Sequence, residues 1–444
     1  MKKVVFFIFF FLLSYSVCWA IEKEISVETK EPIEHATSPS LTLQDCYAMA
    51  VKQSETLAIK KEEMARTLSS FLHATGDTIG DANFVMTDFR QDSQGGSSTS
   101  SSSDNSNFTL PKRRETKFAF SQPLFQGFRA IGALSGAGSL KKQRRGDWER
   151  AKQLLFMDVV NSFYDYLRLK KDEEIIEGIL SLYQDRITDL NGWIENGRSR
   201  PSELATVRSR LGTFEGELAR TKGDLAMAKN LLTFLIGTSV APNDLKVQET
   251  PLPADEKLSV SELVSKRPDV EASRQAIKTA RGGVIVAQSD LWPKLSLDSN
   301  LYEKREGIQS GTNWDALFTF TVPLGKGGET LGKIRDSYSQ WKESKLTHSL
   351  VERVAEREIK DAYDSWKSSA ERYQALEKAT KDAQENFTLQ KDEYSHHLVS
   401  NLEVLDALQS LFQTKRDANE AFYDMKKAYW QLDLAKGHCC EDIG

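Results

Sequence analysis

The chain has 444 residues, of which 39% are hydrophobic and 28% charged, and its formal net charge is −5. So even a balance offers no electrostatic case for nucleic acid, which needs a clustered basic patch or stripe. The length suits about two or three domains, and the absence of a Walker loop, an HExxH motif or a GxSxG elbow leaves no enzymatic reading.

The N-terminus reads as an export signal. Lys2 and Lys3 precede the apolar run Val4 to Leu13, and smaller residues lead to Ala20. That is the charged, apolar and cleavage-site order of a secretory signal. Residues 1–20 are therefore expected to be removed, and 21–40 form a linker. A rival reading makes Cys18 a lipid-modified cysteine, which Tyr15-Ser16-Val17 fits poorly. The apolar run is short for an uncleaved anchor, and no later run reaches the ~20 residues of a transmembrane helix. An exported chain without such a helix is either soluble or a β-barrel, because only helices and closed barrels satisfy the backbone in lipid.

From residue 41 the chain describes itself twice. Slid along itself by about 200 positions, FAFSQPLFQG from Phe118 falls on FTFTVPLGKG from Phe318. Pro123 meets Pro323, and Gly127 meets Gly327. The register persists without a gap, so that Glu203 meets Glu403, Leu211 meets Leu411 and Gly237 meets Gly437. Two repeats follow, 41–237 and 258–437, with a Pro-containing linker at 238–257 and a tail at 438–444. Each repeat reads as helix, strand, loop, strand, long helix, turn, helix.

Within each repeat two segments alternate as half-buried strands do. They lie near Asp81 to Arg90 and Thr116 to Phe125, then near Pro293 to Tyr302 and Trp314 to Leu324. Each has about the 9–11 residues of a tilted membrane strand. The loops between them, GGSSTSSSSDNSN and EKREGIQSGTN, are polar and are placed outside the cell, where barrels carry their longer loops. Pro123 and Pro323 are expected to end their strands, and Gly127 and Gly327 to permit the turn into a helix.

The helices that follow run from Phe128 to about Asn191 and from Gly327 to about Asp392. About 64 residues at ~1.5 Å each span nearly 100 Å, which suggests a coiled coil or a tunnel wall. The second helix of each pair carries an a/d stripe, Leu204, Val207, Leu211, Phe214 and Leu218 in one, Val404, Ala407, Leu411, Met425 and Leu432 in the other. On this stripe alone a soluble periplasmic coiled-coil adaptor or scaffold is an equal alternative. The four strands favour a membrane protein. Four strands cannot close a barrel and would leave two open edges in lipid. Three copies pool about twelve strands, within the range of known barrels.

Cys46, Cys439 and Cys440 remain after the signal, an odd and badly spaced set. His438 beside the adjacent pair permits a metal site, and a frayed tail is the plainer alternative. No metal or cofactor is assigned.

The chain resembles the TolC-like outer-membrane efflux family over nearly its whole mature length. The resemblance rests on RPDVEASRQAIKTARGGVIVAQSDLWPKLSL from Arg267, the corners QPLFQGFR and VPLGKGGE, and LEVLDALQSLFQTKRDANEAFYDMKKAYWQLDLAKG from Leu402, in this order. It implies an α+β membrane protein, a homotrimer whose twelve-stranded outer-membrane barrel continues into a helical periplasmic tunnel. It implies as partners outer-membrane lipid, a periplasmic adaptor and an inner-membrane pump or ABC exporter. It also implies a gate at the periplasmic tip, where acidic positions match Glu403 and Asp406, a first-half acid matches Glu203, and a tyrosine that bonds to it matches Tyr394. Six carboxylates around a threefold axis would repel one another and raise their pKa values. The family's arginine nearby is replaced by Val399, and a turn glycine by His397 although Gly197 is present, so Arg198 and Arg200 become candidate substitutes. His396 and His397 at the same turn would give the expected gate a pH-sensitive element, and two exposed turn residues are the plainer alternative.

Overall fold

A computed structural model describes residues 41–90, 112–238, 245, 259–306, 310–325 and 327–437. Thr42–Gly444 form one compact unit; Met1–Leu41 form another, which lies outside the described residues except for Leu41. The expected signal with Cys18, the Ser-rich loop, the linker (save Thr238 and Leu245) and the His438-Cys439-Cys440 tail also lie outside them.

The first repeat contains helix α1 (Leu43–Gln53), α2 (Glu55–Ile79), strands β1 (Asp81–Arg90) and β2 (Lys112–Gln126), then α3 (Arg129–Glu195) and α4 (Pro201–Ile236). The second contains α5 (Val260–Lys266), α6 (Pro268–Gln288), β3 (Lys294–Arg305), β4 (Trp314–Thr321), α7 (Glu329–Ser395) and α8 (Asn401–Ala435). The long helices α3 and α7 have 67 residues each. No helix among the described residues is long and apolar enough to cross a membrane.

The entry helix of each repeat is split, where one continuous helix was expected. Ser54 takes an extended conformation and its hydroxyl caps the Leu57 N–H, so α1 ends and α2 restarts. Arg267 is extended because Pro268 follows it and disfavours the helical region. Thr42 and Asp45 close a capping box at the start of α1. Beyond it Cys46 is fully buried, and that burial, with Asp45 adjacent, pushes its thiol up to about 12. Only the thiolate is nucleophilic. Cys46 is therefore expected to resist iodoacetamide at pH 8 in the folded protein and to react after unfolding, as read by peptide mapping.

The strands form one antiparallel sheet in the order β1-β2-β3-β4. Ala82, Phe84 and Met86 share a face with Phe118 and Phe120, with Leu295, Leu297 and Leu301, and with Trp314, Phe318 and Phe320. Phe318 and Phe320 are both 65% exposed. The opposite face is mostly polar and internally bonded, with Val85, Phe89 and Leu317 as apolar exceptions. Ser121 donates to Asp298 (2.6 Å), while Asn300 and Tyr302 both donate to Asp315 (2.7 Å each). A sheet with one largely apolar and one largely polar face, both open to solvent in the single chain, suits the wall of a water-filled barrel whose apolar face is turned outward.

Two expectations about the strands are corrected. Glu303, Lys304 and Arg305 belong to β3 and not to the loop, of which 307–309 lie outside the described residues. Pro123 does not end β2: the ladder skips Leu124 in a register shift and continues to Gln126. Proline lacks the N–H that a regular ladder needs, and the bulge absorbs that loss. Pro323 lies beyond β4, which ends at Thr321.

Below the sheet the two repeats interlock rather than stand apart. Gly132 and Gly136 of α3 lie against Gly282 of α6 so closely that a Cβ on Gly282 would sit 2.7 Å from the Gly132 carbonyl oxygen. Further down, α3, α4, α7 and α8 share one apolar core of residues such as Ile176, Tyr183, Val207, Phe387, Leu405 and Leu411. The α8 stripe is buried, whereas α4 buries only one side and leaves Met227, Leu231 and Phe234 exposed.

Candidate gate at the helical tip

Two tight turns join α3 to α4 and α7 to α8 at the end of the long helices. They are copies of one another. Gly197 (φ +67°) donates to the Ile194 carbonyl and Arg198 to that of Trp193; His397 (φ +60°) donates to Tyr394 and Leu398 to Glu393. A left-handed backbone is free for glycine and costs a side-chain-bearing residue about 1–2 kcal/mol. His397→Gly is therefore expected to stabilise the protein by about 1 kcal/mol, read as a higher unfolding midpoint. His396 and His397 are both exposed, and the Nδ1 of His396 lies 3.0 Å from the Asp392 carbonyl oxygen.

The sequence-predicted residues Glu203 and Tyr394 meet. The Tyr394 hydroxyl donates to Glu203 Oε2 at 2.8 Å, and the Ser199 hydroxyl donates to the same oxygen at 3.0 Å. Tyr394 is raised above the usual tyrosine range, first by burial and then by its bond to Glu203. This contact joins α4 of the first repeat to the end of α7 of the second.

Glu403 and Asp406 lie one turn apart at the start of α8, both exposed. Glu403 completes a capping box: its carboxylate accepts the Ser400 N–H at 2.6 Å, and Ser400 Oγ accepts the Glu403 N–H. Within one chain the cap bond holds Glu403 below the usual carboxylate range. Asp406 accepts from Arg210 of α4 at 3.1 Å, and that arginine also donates to Gln409 at 2.7 Å.

The arginine at this site is neither Arg198 nor Arg200, whose side chains make no hydrogen bond or ion pair among the described residues. It is Arg186, only 6% exposed, on α3. Its Nε and Nη2 both donate to Asn401 Oδ1, at 3.1 and 2.9 Å. Its guanidinium lies 3.8 Å from the centre of the Tyr394 ring and 5.3 Å from that of Trp193. Burial pulls its pKa down, opposed by Tyr394 and the nearby acids. Arg186 thus ties α3 to the end of α7 and the start of α8, while Tyr394 and Glu203 tie in α4. Sequence reading missed it because it belongs to no motif. Its one signal is an arginine placed on a buried stripe that includes Ile176, Ile179, Tyr183 and Leu190.

At the opposite end, Gly127 (φ +61°) turns the chain from β2 into α3. A Cβ there would collide with the Ser289 carbonyl and the Trp292 side chain, so only glycine fits. Phe128 follows it, also left-handed, and packs edge-on against Phe125 and Trp292. Gly327 (φ +53°) and Gly328 (φ +89°) make the matching corner in open space. Among the described residues no three His, Cys, Asp or Glu side chains converge to hold a metal ion.

Comparison with known proteins agrees with this architecture. A family model described as "Outer membrane efflux protein" matches residues 259–438. The chain is 24% identical over 308 residues to the cation efflux system protein CusC of Escherichia coli O157:H7, covering 66% of each chain. The match thus spans a little under two thirds of that relative's length. Among solved structures, a crystal structure of CusC superposes with a TM-score of 0.79 at 18% identity, covering 93% of this chain and 99% of that one. The outer membrane protein VceC of Vibrio cholerae superposes with a TM-score of 0.75 at 19% identity, covering 89% and 96%.

Proposed function

We infer the function from one premise: this chain belongs to the outer membrane efflux protein family, a family of transport channels and not of enzymes. Its place is the outer membrane. Three copies join the β1 edge of one sheet to the β4 edge of the next, closing a twelve-stranded barrel whose apolar face meets lipid. The helices close beneath it into a periplasmic tunnel. The assembly is the exit duct of an efflux or secretion system and receives its cargo from an inner-membrane pump through a periplasmic adaptor.

The observation that carries this reading is the sheet itself. One face is largely apolar, the other is largely polar, both are open to solvent in the single chain, and both edge strands are unpaired among the described residues. Such a sheet is stable in lipid only when closed. A soluble coiled-coil adaptor, the alternative open from the heptads alone, would have no use for this sheet, and its fold is not the one the solved relatives share.

The tip is the gate. Tyr394 on Glu203 holds the two hairpins of each protomer together, and Glu403 and Asp406, repeated by the threefold axis, line a cation-attracting entrance. His396 and His397 give that entrance a protonatable rim. Purified protein in a planar bilayer is expected to conduct, with cations favoured over anions and conductance changing between pH 5 and 8. A His396→Ala, His397→Ala double variant should flatten the pH profile. A parent that does not conduct would remove the duct; a flat parent profile would remove only the histidine rim.

A further inference from the structure

The lipid-facing side of the sheet changes chemistry part-way along its strands. Phe84, Met86, Phe118 and Leu301 belong to the apolar face. Beyond Met86 and Thr116 the same alternation brings Asp88, Arg90 and Arg114, and across from Thr116 it brings Lys304. Glu306 continues this side, its backbone N–H donating to the Arg114 carbonyl and its carboxylate accepting the Arg114 N–H, both at 3.0 Å.

These groups form a small organised array. Arg90 donates to Asp88 at 3.1 Å, and Arg114 Nε lies 3.5 Å from the same carboxylate. Lys304 Nζ lies 3.0 Å from Glu306. Among the described side chains of this array three cations face two carboxylates, which leaves one positive charge unmatched. Arg114 Nε is also shielded from solvent and donates no hydrogen bond. Its nearest acceptor is the Asp88 carboxylate, and because the side chain as a whole is 41% exposed, an acceptor from the membrane meets the guanidinium at its terminal nitrogens and not at Nε.

The geometry points to a binding site for the phosphate groups of lipids in the leaflet farthest from the helices. This rests on the barrel reading above. Arg114 is four residues beyond Phe118, about 14 Å along the strand at ~3.4 Å per residue. That separation carries the wall from the hydrocarbon layer into the headgroup layer. Acyl chains lie against Phe84, Phe118 and Leu301, and phosphate oxygens above them reach the guanidinium forks of Arg90 and Arg114 and the ammonium of Lys304. Arginine suits this role because its fork takes two oxygens at once. Asp88 and Glu306 hold the cations in place and leave their outer N–H groups free.

The test compares parent trimers with an Arg90→Ala, Arg114→Ala, Lys304→Ala variant by native mass spectrometry, titrating lipid A, a doubly phosphorylated glycolipid, and its dephosphorylated form. The parent is expected to retain the phosphorylated lipid at least tenfold more tightly than the variant, and to lose that advantage when the phosphates are removed. Inorganic phosphate at equal concentration should not displace the lipid. Equal retention by parent and variant, indifference to lipid phosphorylation, or displacement by inorganic phosphate would each overturn the site. A single Arg114→Gln variant, with trimer mass checked, guards against misassembly of the triple variant; unchanged retention in it as well as in the triple variant counts against the proposal. A parent that conducts ions but ignores phosphorylated lipid sinks this site alone, whereas a parent that is not a trimer sinks the barrel.

Discussion

Arg186→Ala is expected to raise the open fraction of the channel by about 100-fold. The substitution removes two charge-assisted hydrogen bonds to Asn401 and the stacking contacts on Tyr394 and Trp193. A buried charged hydrogen bond is worth about 1.5–3 kcal/mol, and a desolvated cation–π contact about 2 kcal/mol. Part of this stabilises the hairpin itself, so about 3 kcal/mol is assigned to the closed tip, two factors of ten at ~1.4 kcal/mol each. Single-channel recording reads the open fraction directly. Arg186→Lys should fall between parent and alanine, because an ammonium keeps the charge but cannot span Asn401 and the rings as a planar fork. An alanine variant that gates like the parent would show Arg186 to be only a packing residue. The tip core around Leu405 and Leu411 lies on neighbouring turns and should keep the variant folded.

The second large effect concerns stability. Arg267, 1% exposed, is held by Asp269 through bonds of 3.1 and 2.7 Å and by Glu358 at 2.6 Å. Arg150 approaches both acids at 3.8 Å. The cluster joins α3, the α5–α6 turn and α7, so it clamps the two repeats beside the α3–α6 contact. Arg267→Ala leaves two carboxylates sharing one distant arginine. Breaking a buried pair in this way costs about 3–5 kcal/mol. The lower end applies because Glu358 is partly exposed. A denaturant titration in detergent checks it, and a loss below about 1 kcal/mol would mean that the cluster behaves as a surface pair. The variant should also differ in acid. Burial pushes the Asp269 carboxyl up, but the bond and charge of Arg267 outweigh it and hold the group below the usual range. A depressed carboxyl stabilises the fold above its unfolded pKa of about 3.9 and loses that contribution as the pH falls further. The acid-side decline should shrink when Arg267 is gone.

The architecture was legible because duplication wrote it twice. β1 begins and ends at the predicted residues, and the expected α3 and α7 fall short only by their last turn. The start of β2 and the end of β3 were placed short because Lys112 to Glu115 and Glu303 to Arg305 are charged, whereas β4 was carried past Thr321 to Leu324 by the apolar Val322 and Leu324. In a barrel the strands rise past the hydrocarbon layer, so charge does not end them. Pro123 misled for a different reason: sequence shows the lost N–H but not the bulge that accommodates it.

The tip was legible only where the repeats could be compared. Aligned repeats revealed His397 opposite Gly197, and the structure gives the two residues the same left-handed backbone. Glu203 and Tyr394 came from family resemblance, and the structure brings them into contact. Arg186 lies far in sequence from Asn401, and nothing local marks it as a partner. Long-range polar pairs of this kind depend on how four helices converge, which heptad spacing alone does not specify. The same limit applies to Glu403, whose capping bond to Ser400 was visible as an S-x-x-E pattern beneath its reading as part of a charged ring.

Closure of the sheet by copies of this chain can be weighed. Sedimentation equilibrium of the mature protein, extracted from membranes in a density-matched detergent, weighs the assembly directly. A single species of about three times the mature chain mass is expected, as a twelve-stranded closure from four-stranded sheets demands. A monomer that stays in solution without detergent would contradict it.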